Sequence, residues 1–175
     1  MGKSIARCGY RCDLCPAYTD NISNEEDRAK VSDGWFRCYG FRIPPEAIYC
    51  DGCLSEDFDN PHRIDPDCEV RQCAEKRGLP NCAHCDEYIC DKLTKKIVFP
   101  DKTVRQAGAP FPQEDYVRFI EPYSNRKVLD EIREDVVRRE LTPMQGCSSW
   151  LYGELSVIFV NRSLRALCGL YSESD

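Results

Sequence analysis

The chain has 175 residues, 42% of them hydrophobic, which is enough for one domain with an ordinary core or for one domain with an appendage. Its net charge of −6 gathers in the first half, where residues 1–92 carry 12 Lys/Arg against 18 Asp/Glu, while residues 93–175 carry 12 of each. That balance excludes a nucleic-acid surface, which needs basic stripes to replace counterions on phosphates, and no apolar run approaches the length of a membrane span.

The first predicted element is a helix opened by a capping box of Ser23 and Glu26 and running toward Trp35, with Glu25, Glu26 and Asp27 at its positive end. Asp67 predicts the cap of a short helix that carries Cys68 and Cys73, runs to Arg77 and stops at Gly78. After Cys85 a third helix is expected from Asp86 to about Ile97. Pro100 and the Ala/Gly/Pro-rich stretch at 107–112 predict a linker. Gln113 to Ile120 reads as a short helix stopped before Pro122. Ser124 opens the clearest amphipathic helix, in which Val128, Leu129, Ile132, Val136, Val137 and Leu141 recur at helical spacing, and Pro143 and Gly146 end it. The apolar tail from Trp150 to Leu170 is read as a further helix. The predicted class is mainly α with irregular metal-stapled loops: a small cysteine-rich zinc-knuckle domain over 1–92 and a helical extension over 93–175 packed on it, or one continuous domain.

Ten of the thirteen cysteines recur at short spacing. Cys8, Cys12 and Cys15 form C-x3-C-x2-C, Cys50 and Cys53 form C-x2-C, Cys68 and Cys73 form C-x4-C, and Cys82, Cys85 and Cys90 form C-x2-C-x4-C. Residues 1–8 lack the apolar segment of a secretory signal, and Ala6 stands where a myristoylation signal has Ser or Thr. The expected compartment is therefore the reducing cytoplasm, where such cysteines serve as metal ligands and not as disulfides. The sequons at Asn21 and Asn161 are then chance matches.

Two sulfurs separated by two residues can hold one ion from a single tight turn, and two four-cysteine zinc sites would use eight of the ten. Structural zinc supplies about 10–16 kcal/mol per site, enough to hold the loop 55–66, which has no apolar pattern. The alternative is an iron–sulfur redox or radical enzyme with a cluster on Cys8, Cys12 and Cys15, a spacing that radical S-adenosylmethionine enzymes use, with Cys15-Pro16 echoing ferredoxin motifs. Either two cysteines are spare, or one site is polynuclear, or a third partial site exists. His62 and His84 read as solvated residues, and Cys38, Cys147 and Cys168 as small buried hydrophobes. Tyr10, Tyr18, Trp35, Phe36, Tyr39 and Phe41 are expected to roof the metal core. The sequence holds no Gly-rich phosphate loop, G-x-S-x-G or H-E-x-x-H motif. The expected role is a binding or regulatory module that contacts a protein partner through its aromatic and C-terminal apolar surfaces, with no nucleic acid and no membrane.

Residues 8–18, 50–53, 68–78 and 82–93, with the continuation at 119–133, together resemble the prokaryotic family DUF3795, a domain of unknown function. The resemblance covers about residues 5–135 and departs at Ile89, where members commonly have proline. It implies a prokaryotic, cytoplasmic, zinc-binding protein and no particular reaction.

Overall fold

The computed structural model describes residues 3–54 and 61–141. They fall in one compact unit, Met1–Pro143, and the expected features at Pro143, Gly146, Cys147, Cys168 and Trp150–Leu170 lie outside the described residues. Six α-helices carry the fold: α1 (Glu25–Tyr39), α2 (Glu69–Lys76), α3 (Asp91–Thr94), α4 (Pro100–Ala107), α5 (Gln113–Phe119) and α6 (Asn125–Leu141). Among the described residues there is no strand, only isolated bridge contacts between Ile5 and Arg11 and between Tyr18 and Cys50. No described helix is long and apolar enough to cross a membrane.

The α1 cap lies one residue later than the expected Ser23–Glu26 box. Asn24 Oδ1 accepts from the Asp27 N–H at 3.0 Å, and Asp27 Oδ2 accepts from the Ser23 N–H at 3.0 Å. Asn24 wins because its amide oxygen reaches the third helical N–H while Asp27 reaches back. At α2 the N-cap is Cys68, with no side-chain cap bond, and not Asp67. The expected helix from Asp86 to Ile97 shrinks to Asp91–Thr94, because residues 85–90 are irregular and the Cys90 carbonyl is the first there to accept the N–H of a residue four further on, that of Thr94. The Tyr88–Ile89 peptide in that stretch is cis.

Pro100, read as part of a linker, instead opens α4. At the first helical position its missing N–H costs nothing and its fixed φ suits the helix. Only the stretch after Ala107 is irregular, with Gly108 at φ 82° and a cis Ala109–Pro110 bond. α5 forms where expected, and α6 starts one residue after Ser124. Of the expected α6 stripe, Leu129 is wholly buried while Val137 is 41% exposed.

Two apolar clusters hold the unit. The first joins Val31, Trp35 and Cys38 of α1 to Phe119, Ile120 and Tyr123. The second joins Ala6, Cys8, Cys68, Val70, Ala83 and Leu93 to Leu129 of α6, and Tyr10 packs against both. α1 and α5 meet closely at Gly34, where an added Cβ would lie 2.1–2.5 Å from three carbons of the Phe119 ring. Helix propensity favours alanine over glycine by about 1 kcal/mol, whereas overpacking costs about 1–3 kcal/mol. Gly34→Ala is expected to lower stability by about 2 kcal/mol in denaturant titration, and Phe119→Leu in the same chain to recover part of it. A stabilised Gly34→Ala protein would refute this packing.

Candidate functional site

The ten short-spaced cysteines divide into six and four. Cys8, Cys12, Cys15, Cys50, Cys53 and Cys68 line a cavity of about 430 Å³. Cys73, Cys82, Cys85 and Cys90 line a recess of about 20 Å³. Two of the C-x2-C segments are single 3₁₀ turns: the Cys15 N–H donates to the Cys12 carbonyl at 3.1 Å, and the Cys85 N–H to the Cys82 carbonyl at 3.1 Å. In the third, Gly52 has φ 84°, and an added Cβ would stand 3.2 Å from the Tyr18 ring, so backbone conformation and crowding both call for glycine. The N-cap of α2 brings Cys68 to the cavity, and the helix itself carries Cys73 to the recess.

As arranged, no three Cys, His, Asp or Glu side chains among the described residues stand close enough to hold one metal ion. The sulfurs line walls. Burial raises the Cys8 thiol well above its ordinary value. The hydrogen bond with Cys12 raises Cys53, burial adds to that, and Arg71 and Arg63 oppose it. Burial pushes Cys15 up to about 11 against the hydrogen bond from Tyr123, and pushes Cys82 up to about 12 with help from its neighbours Cys90, Cys85 and Cys73. These four are neutral thiols at pH 7 until a cation displaces their protons.

Tyr10, Trp35, Tyr39 and Phe41, four of the six aromatics expected as a roof, line the cavity. Tyr18 instead packs on Gly52, and Phe36 is 52% exposed. Tyr123 completes the wall, stacked edge-on against Tyr10 and Tyr39 with centroids 5.3 and 5.8 Å away. Each hydroxyl is turned to a protein partner. Tyr10 donates to the Lys96 carbonyl at 2.8 Å and Tyr39 to the Phe119 carbonyl at 2.6 Å, while Tyr123 accepts from Trp35 Nε1 at 3.0 Å and lies 3.3 Å from Cys15 Sγ. The rings thus give the cavity an apolar surface.

Cations surround the sulfurs. Arg71, 6% exposed, donates to the carbonyls of Asp65 and Pro66, with Glu75 at 3.9 Å. Arg63 donates to the Gly52 carbonyl at 3.0 Å, inside the Cys50–Cys53 turn. At the recess Arg77 Nη1 stands 3.4 Å from Cys85 Sγ, and Arg133 of α6 donates to the carbonyls of Ala83 and Cys85 at 2.9 Å each. Asn81 caps the same turn. Sequence reasoning missed Tyr123, Arg71 and Arg133, which carry no local spacing signal. Arg71 alone could have been singled out, as a charge on the apolar side of a short helix between two cysteines.

Neither histidine lines either group. Nδ1 of His84 meets Asn81 Oδ1 at 3.0 Å, and Nδ1 of His62 meets the Tyr49 carbonyl at 2.5 Å. Cys38 is 3% exposed in the α1 core.

Fold and site together define a mainly helical, cysteine-rich protein whose short-spaced thiols gather at two places. The chain belongs to the family described as protein of unknown function (DUF3795), whose model matches residues 4–95. The similarity expected through residue 135 extends past that match. No curated protein and no solved structure matches the chain.

Proposed function

We propose that the chain is a cytoplasmic metal-binding protein with two thiolate centres, acting as a binding or regulatory module for a protein partner. The observation that carries this is the gathering of ten short-spaced cysteines, from segments up to 82 residues apart, around one cavity and one recess. Zinc suits the recess. Four cysteines are the number a tetrahedral site takes, and about 20 Å³ is room for little more than one small body. Zinc there would draw Cys73, Cys82, Cys85 and Cys90 together and staple the irregular loop 85–90 to α2. A closed four-thiolate site of this kind serves structure. The expected iron–sulfur alternative on Cys8, Cys12 and Cys15 concerns the other group, where those three share one cavity with three more sulfurs.

Support for a protein partner comes from the end of α1. Phe36 and Phe41 are about half exposed, and the Arg42 guanidinium sits 4.7 Å over the Phe36 ring. Aromatic residues with arginine are enriched where proteins meet.

Metal analysis tests the zinc assignment. Protein purified without added metal should hold about one zinc at the recess. Cys85→Ser should lose that equivalent, and Cys38→Ser should keep it. A Cys85→Ser protein with unchanged zinc and an unchanged melting curve would refute the assignment.

A further inference from the structure

We infer that the larger cavity holds a polynuclear iron–sulfur cluster, with Cys12 and Cys53 among its ligands, and not a second single zinc ion. The inference rests on the reading of the chain as a thiolate metal protein, and it assigns the two centres different contents.

Size is the first argument. A zinc ion bonds sulfur at about 2.3 Å and draws its four ligands into a tight shell. The recess has the space for that, at about 20 Å³. The cavity, at about 430 Å³, does not close on one ion. Its sulfurs also come from different parts of the core. Cys15 packs against the first apolar cluster, with its Sγ 3.3 Å from the Tyr123 hydroxyl. Cys8 and Cys68 belong to the second, against which Cys12 and Cys53 pack, with a hydrogen bond between their side chains. A cluster brings its own width, so thiolates spread around a cavity reach it without collapsing the walls.

The lining is the second argument. The aromatic rings present apolar surface: the Tyr10 and Tyr39 hydroxyls are turned to backbone carbonyls, and that of Tyr123 is shared between Trp35 Nε1 and Cys15 Sγ. Soft sulfide-bearing clusters are kept in such surroundings, where burial and nearby hydrogen-bond donors tune them. Charge is the third. Thiolates and cluster together are anionic, and buried charges in proteins are paired. Arg71 is buried at the cavity wall and bonded mainly to carbonyls. Four thiolates complete a cubane. Besides Cys12 and Cys53 the others come from Cys8, Cys15, Cys50 and Cys68, and the two left over remain cavity wall.

The test is anaerobic reconstitution of the full chain with equal amounts of ferrous and ferric iron and with sulfide, the ferric iron supplying the two oxidising equivalents of a cubane with two ferrous and two ferric ions. The expected product is brown, absorbs broadly in the visible, and holds iron and acid-labile sulfide in equal amounts while the zinc of the recess stays bound. Cys12→Ser and Cys53→Ser should each lose the colour and keep the zinc. Cys85→Ser should lose zinc and keep the colour. Folding of each variant is checked by its helical circular dichroism. A second readout uses no cysteine variant. In a Trp150→Phe protein the remaining tryptophan is Trp35, which lines the cavity, and its fluorescence should be quenched several-fold by iron plus sulfide but not by zinc. A colourless protein that takes up a second zinc lost in Cys53→Ser would overturn the cluster and leave the metal reading standing. Colour that survives Cys12→Ser and Cys53→Ser, or leaves Trp35 emission unchanged, would overturn the placement. A protein that binds neither metal would overturn both readings.

Discussion

Removing metal with a strong chelator under anaerobic conditions is expected to unfold most of the described unit, and restoring zinc, with iron and sulfide for the larger centre, to refold it. One structural zinc is worth about 10–16 kcal/mol in small metal-dependent domains, against a usual total stability of about 5–15 kcal/mol. The fold shows why the loss is not confined to loops. Segments 3–22, 42–54 and 79–90 contain only 3₁₀ turns and irregular backbone, yet they supply Ala6, Cys8, Ala17, Ile48 and Ala83 to the two apolar clusters. Without metal their placement rests on thiols that burial keeps neutral, such as Cys8 and Cys82. The measurement is helical circular dichroism and thermal melting before and after chelation. A chelated protein that keeps its full melting temperature would exclude a structural metal.

Asn125→Ala should be the most damaging single change away from the cysteines. Asn125 is wholly buried at the start of α6. Its Nδ2 donates to the carbonyls of Cys8 at 2.9 Å and Lys96 at 3.1 Å, and its Oδ1 accepts from the Val98 N–H at 3.2 Å. One side chain thus ties the N-terminal cysteine loop, the segment between α3 and α4, and α6. Truncation strands the buried Cys8 carbonyl and the part-buried Val98 N–H, at about 1–3 kcal/mol each where water cannot reach them, while the Lys96 carbonyl keeps its bond from the Tyr10 hydroxyl. The expected loss is about 2–5 kcal/mol, a fall in melting temperature of about 4–20 °C at roughly 2–4 °C per kcal/mol. Asn125→Asp should not rescue, because a carboxylate can accept from Val98 but cannot donate to two carbonyls. A loss below about 1 kcal/mol would show that these bonds are replaced by water and that α6 does not anchor the cysteine loop.

Much of the local structure was legible. α1, α5 and α6 lie within a residue or two of their predicted starts because capping residues, acidic first turns and apolar periodicity act over one or two turns of chain. Two readings failed for identifiable reasons. Pro100 was treated as a breaker although proline at the first helical position is favourable. The helix expected from Asp86 was cut to Asp91–Thr94 because the chain between Cys85 and Cys90 follows the demands of the recess instead of helical propensity.

The sequence alone determined that this is an acidic, mainly helical, cysteine-rich chain of the DUF3795 family, with ten thiols at short spacing, because spacing is a local property written in adjacent residues. How those thiols are shared was decided only in three dimensions. The C-x4-C pair that spacing presents as a unit is divided, Cys68 at the non-helical N-cap of α2 to the cavity and Cys73 within the helix to the recess. Tyr123 reaches Cys15 across 108 residues, Asn125 reaches Cys8 across 117, and Arg133 reaches the Cys82–His84 turn from α6. Such partners have no signature in the chain, since packing selects them by position in space and leaves their separation in sequence free. The ten short-spaced cysteines stand as four around a recess of about 20 Å³ and six around a cavity of about 430 Å³.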